Sequence, residues 1–292
     1  MNYSNEMVSS AKTAATPDRA LFVSTRQRPS FCLSDLWKAP LHDFPIRDEI
    51  LYQYLPLSSQ MDVLEIGPGS GFTAFRLARQ VRHLALLDIA ADNVARLRKA
   101  LRKISNIRLI CADVCQPGLA DQMGSRMDAV YALEVFELLP DPERCLKNLA
   151  AVLHPGGSLL FQFPNYPPPK NPGVTYFRTR EELDHLLATA GFETWEVYAL
   201  RLRPHARAVY NLYRLPLQYY RRLRQRSGPE RPLVYDQSWA FRNQQRLEAY
   251  KIFFHGTWTA MFAFLRLGGE VFERELLGAE ILNRNLLVVA RR

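Results

Sequence analysis

Between residues 44 and 200, short apolar runs alternate with segments whose apolar positions recur at helical spacing. Phe44 to Leu55 puts Ile46, Ile50, Leu51 and Tyr54 on one side and predicts a helix ending before Pro56. Val63, Leu64 and Ile66 form a compact run suited to a strand buried on both faces. From Phe72 the period becomes helical: Phe72, Phe75, Ala78 and Arg79 share a side, and Leu77 and Val81 extend the apolar surface. A second strand, Leu84 to Leu87, ends in Asp88, and a basic amphipathic helix follows over Asn93 to Leu101. Ile107 to Cys111 and Asp128 to Leu133 read as the third and fourth strands. Asp141 is placed as an N-cap, with Pro142 at the first helical position. Pro155-Gly156-Gly157 predicts a tight turn before a fifth strand, Ser158 to Phe163. Thr179-Arg180-Glu181-Glu182 fits a capping box for a helix that Gly191 ends. Phe192 to Leu200 is the sixth strand, and Leu286 to Val289 closes the chain. Strands alternating with helices predict an α/β fold with a doubly wound, mostly parallel sheet.

The turn after the first strand reads Glu65-Ile66-Gly67-Pro68-Gly69-Ser70-Gly71. A dinucleotide fingerprint spaces its glycines as G-x-G-x-x-G, to seat a pyrophosphate on a helix N-terminus. Here the glycines recur at every second position and a carboxylate precedes them. A carboxylate would repel a pyrophosphate but could hold an ammonium group. In open α/β sheets ligands bind at the carboxyl ends of the strands, and acidic residues stand at these ends: Asp88, Asp113 and Glu134. Asp88, 17 residues beyond Gly71, suits the hydroxyls of a ribose, with a helix-capping role as the structural alternative.

The joint pattern of Glu65/Gly67/Gly69/Gly71, Asp88, Asp113, Glu134 and Pro155-Gly156-Gly157 resembles the class I S-adenosylmethionine (SAM)-dependent methyltransferases of small-molecule type, with a methyltransferase 11-like core. The resemblance covers roughly residues 45–200 and 279–292. It implies a Rossmann-like seven-stranded sheet whose last strand is antiparallel, and SAM as cofactor. It further implies that Glu65, Gly67, Pro68, Gly69 and Gly71 form the first cofactor-binding motif and that Glu134 lines the methionine end. Asp88 would hold the ribose hydroxyls, Asp113 would take the adenine amino group with Ala112 and Val114 flanking the ring, and Ile89 would be a further cofactor-binding residue. Glu134 to Leu139 is similar to a family segment in which histidine is frequent where this chain has Leu138. No catalytic residue is therefore assigned, and a non-catalytic SAM-binding regulatory protein stays an alternative. Pro164-Asn165-Tyr166-Pro167-Pro168 departs in order and position from the tetrad of nitrogen-directed methyltransferases and reads as a stiff loop near the substrate entrance.

Residues 201–278 have no counterpart in the minimal fold and predict a helical insertion over the substrate site. Eleven arginines from Arg201 to Arg246 are interleaved with tyrosines and Trp239, against only Glu230 and Asp236. Ile252 to Leu267 is almost wholly apolar, yet too short to span a bilayer. A packed cap, a lid admitting a lipophilic substrate at an anionic membrane surface, and an RNA-binding module all suit the arginines. The apolar segment favours the first two, so a nucleic-acid partner fits less well and an RNA methyltransferase is the alternative. Asn165, Tyr166, His205, Tyr210 and His255 are the candidate substrate residues, each with a packing or surface role as the bland alternative.

The net charge of +9 agrees with an anionic partner. Cys32, Cys111, Cys115 and Cys145 show no C-x-x-C spacing, which points to reduced thiols in a cytoplasmic protein, peripheral at a membrane in the lid reading, and to no metal site. Met1 to Arg28 lacks the apolar stretch of a signal peptide. The expected organisation is an extension over 1–44, a core over 45–200, the insertion over 201–278 and a final core strand over 279–292.

Overall fold

The computed structural model describes residues 50–69, 71–165, 177–209, 264–265, 267, 269–277 and 285–292. Eight strands pair among these residues: β1 (Asp62–Ile66), β2 (His83–Asp88), β3 (Ile107–Cys111), β4 (Met127–Leu133), β5 (Leu153–Pro164), β6 (Thr194–Leu202), β7 (Phe272–Leu276) and β8 (Asn285–Arg291). Their order across the sheet is β3-β2-β1-β4-β5-β8-β6-β7. The first five strands run parallel, and β8 lies antiparallel between β5 and β6. β6 therefore points the same way as β1, and its end at Leu202 lies on the edge where β1, β2 and β4 also end.

The reading of seven strands is corrected to eight. β7 lies inside the segment expected to be helical and pairs antiparallel with β6, Leu202 opposite Phe272. Its residues Phe-Glu-Arg-Glu-Leu alternate too briefly, and with too much charge, to give a clear strand period. An edge strand needs only one buried position, and Phe272, 1% exposed, provides it.

Helices cover both faces. On one face α4 (Leu119–Met123), α5 (Pro142–Val152) and α6 (Arg180–Ala190) bury Met123, Leu146, Leu149 and Leu187 against Leu64, Ile66, Val130 and Phe161. On the other, the helical residues 50–54 (here α1), α2 (Phe72–Leu77) and α3 (Ala91–Ala100) cover Val63, Leu84, Tyr131 and Leu160. The helix starts follow their sequence signals. Asp141 accepts a hydrogen bond from the Arg144 amide at 2.9 Å, with Pro142 at the first turn. Thr179 accepts from the Glu182 amide at 3.3 Å, while the Glu182 carboxylate accepts from the Arg178 amide at 2.9 Å.

Two local readings are revised. α2 turns Ala74, Leu77 and Ala78 inward and leaves Phe75 44% exposed, because Gly71 enters the helix from a left-handed conformation and sets its phase. Pro155-Gly156-Gly157 lies within β5 as an irregularity: Met127 pairs with Leu153 and Ala129 already with Ser158. The intervening residues are held by the chain end, where Gly156 donates to the Arg292 carbonyl at 2.5 Å and Arg292 donates to Gly157 at 3.0 Å.

Candidate cofactor site at the carboxyl edge of the sheet

β1 delivers the glycine turn to the carboxyl edge. Gly67, Gly69 and Gly71 have φ of +64°, +51° and +77°, the left-handed region in which a side chain is strained. Gly67 also needs its hydrogen for space, since a Cβ there would stand 2.5 Å from Val135 Cγ2. Gly69 differs: a Cβ there would meet no atom within 4 Å. At Gly69 the turn thus presents bare backbone to an open space, as a ligand's close approach requires. Glu65 lies just behind it, 6% exposed, and Pro68 is buried.

β2 places Asp88 beside the turn. One carboxylate oxygen accepts from the Ala90 amide at 2.9 Å and the other from Asn93 Nδ2 at 2.5 Å. The capping alternative is therefore partly real, because Asp88 organises the entry to α3. These two bonds use half of the roughly four acceptor positions of a carboxylate, so ribose hydroxyls could still be received. Asn93 Oδ1 in turn accepts from Arg96 Nε at 3.1 Å, and Arg96 Nη2 also donates to the Gly69 carbonyl. Asp88, Asn93, Arg96 and Gly69 form one connected chain that ties the acidic strand end to the turn. Asn93 and Arg96 were not among the predicted site residues. The available signal was their i, i+3 spacing on α3, which puts them on one side of that helix.

Asp113 follows β3 and accepts from the Cys115 amide at 2.8 Å, an Asx turn that fixes the loop. Val114, expected at the adenine, is 4% exposed and packs in the core with Leu119 and Leu146, while its carbonyl accepts from Asn148 at 2.7 Å. Its side chain serves packing. Ile89, 56% exposed beside Asp88, is the apolar surface that faces outward at this edge. Glu134, at the end of β4, has φ +54°, the sole positive value for a non-glycine among the described residues. Such strain is held by its surroundings and concentrates at functional sites. Here the Glu134 amide donates to the Gln162 carbonyl on β5 at 2.8 Å. Leu138, in the short 3-10 helix Phe136–Leu138, is 43% exposed.

The expected substrate residues separate. Asn165 is fully buried, and its amide donates to the Phe177 carbonyl at 2.9 Å and accepts from the Phe177 amide at 3.0 Å. These two bonds tie the residue just after β5 to Phe177. His205 is exposed on the helical residues 204–209 that follow β6. Tyr166, Tyr210 and His255 lie outside the described residues, as do most of the arginines and the apolar segment on which the membrane and RNA readings rest. Among the described residues no helix is long and apolar enough to cross a membrane, and no group of three or more His, Cys, Asp or Glu could hold a metal.

Residues 64–161 match the model of the methyltransferase domain family. This region of the chain is a class I SAM-dependent methyltransferase domain. SAM is the cofactor of such domains, and the bare turn, the carboxylates at the strand ends and the exposed Ile89 suit it. A probable SAM-dependent methyltransferase of Mycobacterium tuberculosis is 28% identical over 190 residues, which are 62% of this chain and 65% of that protein. A ubiquinone biosynthesis O-methyltransferase of Coxiella burnetii is 30% identical over 125 residues, covering 42% of this chain and 51% of the relative. The chain thus spans between half and two thirds of the length of these relatives. Among solved structures, that of the [4+2]-cyclase SpnF shares the fold at TM-score 0.50 and 16% identity, covering 88% of this chain and 85% of that one.

Proposed function

We propose that the protein transfers the methyl group of SAM to a small, lipophilic or aromatic acceptor, with oxygen as the accepting atom. The observation that carries the methyl-donor half is the gathering of the glycine turn, Asp88, Asp113 and the strained Glu134 on one edge of the sheet. SAM, when bound, supplies a methyl group already activated on a sulfonium. The chain's own task is then to hold and align. Gly69 lets the backbone approach the ligand, Asp88 offers acceptors for the ribose hydroxyls, and Glu65 and Glu134 bring negative charge to the end that carries the ammonium. An acceptor atom held in line within about 3–3.5 Å of the methyl can react without covalent help from the protein. Oxygen as acceptor is supported by the relative named for O-methylation. The interleaved arginines and aromatics after β6 support a lipophilic or aromatic acceptor, because that segment leaves the sheet at the edge where the site lies.

Calorimetry with SAM and S-adenosylhomocysteine tests the donor half. The wild type should bind both, and Gly67→Arg and Asp88→Ala should lose at least about tenfold in affinity, or 1.4 kcal/mol. Undiminished binding by both variants would defeat the assignment. Incubation with methyl-labelled SAM and catechol tests the acceptor half, with label expected in the methyl ether. Label in RNA and none in catechol would replace this reading with the RNA one.

A further inference from the structure

Gln162 is a buried polar residue whose side chain has no place in the cofactor site described above. It stands two residues before the end of β5, opposite Leu133 on β4 and Leu287 on β8. Phe161 and Phe163 turn to the face covered by α4, α5 and α6, whereas Leu160 packs on the opposite face. Strand alternation therefore sends the Gln162 side chain to the face covered by α1 and α2. Its register neighbours on that face are Leu133 and Leu287, with Leu160 two positions back on the same strand, so the carboxamide lies between aliphatic side chains along and across the sheet. The residue is 2% exposed, and its Oε1 has no hydrogen-bond partner among the described residues. The other buried polar side chain on that face of β5 is satisfied: Ser158 Oγ accepts from Arg291 Nη1 at 3.3 Å. A buried amide oxygen left unpaired is costly, and a leucine would fit such a face better.

Its position suggests what it is kept for. The Gln162 carbonyl holds the Glu134 amide at 2.8 Å, so the carboxamide projects from the strand next to the strained end of β4. Two further polar side chains lie buried on the same face, Glu65 at 6% exposure and Tyr131 at 0%, and they are paired in register across β1 and β4. The polar groups thus mark a band just below the carboxyl edge, on the side where β6 hands the chain to the segment after Leu202.

We propose that Gln162 is the residue that recognises the methyl acceptor, its Oε1 accepting a hydrogen bond from a hydroxyl or amine adjacent to the atom that is methylated. This rests on the methyl-transfer reading above. A site with an unsatisfied buried acceptor favours a ligand that brings a donor and rejects one that does not. The oxygen that lacks a partner among the described residues of the free protein gains one when the acceptor binds, so its cost there becomes selectivity for a donor-bearing acceptor.

The test pairs Gln162→Leu with two probes, catechol and phenol, which differ by one hydroxyl. The wild type should prefer catechol in kcat/KM, and the variant should reduce that preference at least about tenfold, since intrinsic differences between the probes cancel in the comparison. SAM affinity should stay within about twofold, and the variant should melt about 2–4 °C higher, because an unsatisfied acceptor has been removed. A variant that keeps the full catechol preference, or that melts lower than the wild type, would overturn the proposal, the second outcome marking Gln162 as a structural hydrogen-bonder. If the wild type methylates neither probe, the phenolic acceptor class is wrong, and the melting and SAM-affinity measurements alone decide whether Gln162 is held for a ligand.

Discussion

Gly67 and Gly69 share a left-handed backbone but not an environment, and the difference separates folding from binding. An alanine at either position meets the left-handed penalty, roughly 1–2 kcal/mol. At Gly67 it must also displace Val135, whose Cγ2 would lie 2.5 Å away, whereas at Gly69 nothing stands within 4 Å. Gly67→Ala should therefore unfold at clearly lower denaturant, with a loss of about 2–3 kcal/mol. Gly69→Ala should lose less stability but about tenfold or more in SAM affinity, because its methyl enters space kept for the ligand. Denaturant titration and calorimetry on the two variants check this, and wild-type SAM affinity in Gly69→Ala would refute it. Both glycines were legible in the sequence from spacing alone. The Asn93 and Arg96 ties were not, since an amide and a guanidinium on a basic helix look like solvated surface until the turn they reach is in place.

At the level of elements, strand ends were the most readable feature, because an apolar run closed by an acid is a local signal. What escaped was nonlocal. β7 reads as strand only once β6 offers its free edge, and the phase of α2 depends on the conformation of Gly71. The opposite end of β1 carries a second polar group. Asp62 accepts from Arg82 Nε at 2.8 Å and Nη2 at 2.7 Å, and lies 2.9 Å from His83 Nδ1. The hydrogen bonds from Arg82 hold the Asp62 carboxyl below its ordinary 3.8, burial opposes them and His83 assists. A carboxyl depressed in the folded state stabilises above its unfolded value, and the contribution fades as pH falls through the folded one. Asp62→Asn should therefore be less stable than the wild type at neutral pH, and the two should converge below pH 3.8. Thermal melts across that range measure it; a gap that persists undiminished at low pH would show that the charge is irrelevant.

For the molecule as a whole, the proposed function divides the sheet between two tasks, with β1 to β4 assigned to the methyl donor and β5 onward to the acceptor. The first half could be read from sequence because donor chemistry needs fixed residue types at strand ends. The second could not, because its readable composition, arginines interleaved with aromatics, suits a packed cap, a membrane-facing lid and an RNA-binding module alike. One anchoring detail bears on this. Where the segment after β6 leaves, the Arg203 amide donates to the Val271 carbonyl at 3.0 Å, Arg201 meets Glu273 at 3.2 Å and Arg203 meets Glu270 at 3.4 Å. Departure and return are thus stitched together at a single point of the rim. A closed excursion of that kind imposes little on its host, since each doubling of length adds only about 0.6 kcal/mol of closure entropy. With departure and return joined in this way, residues inserted or removed between Arg203 and Glu270 should leave the strands that carry the glycine turn undisturbed.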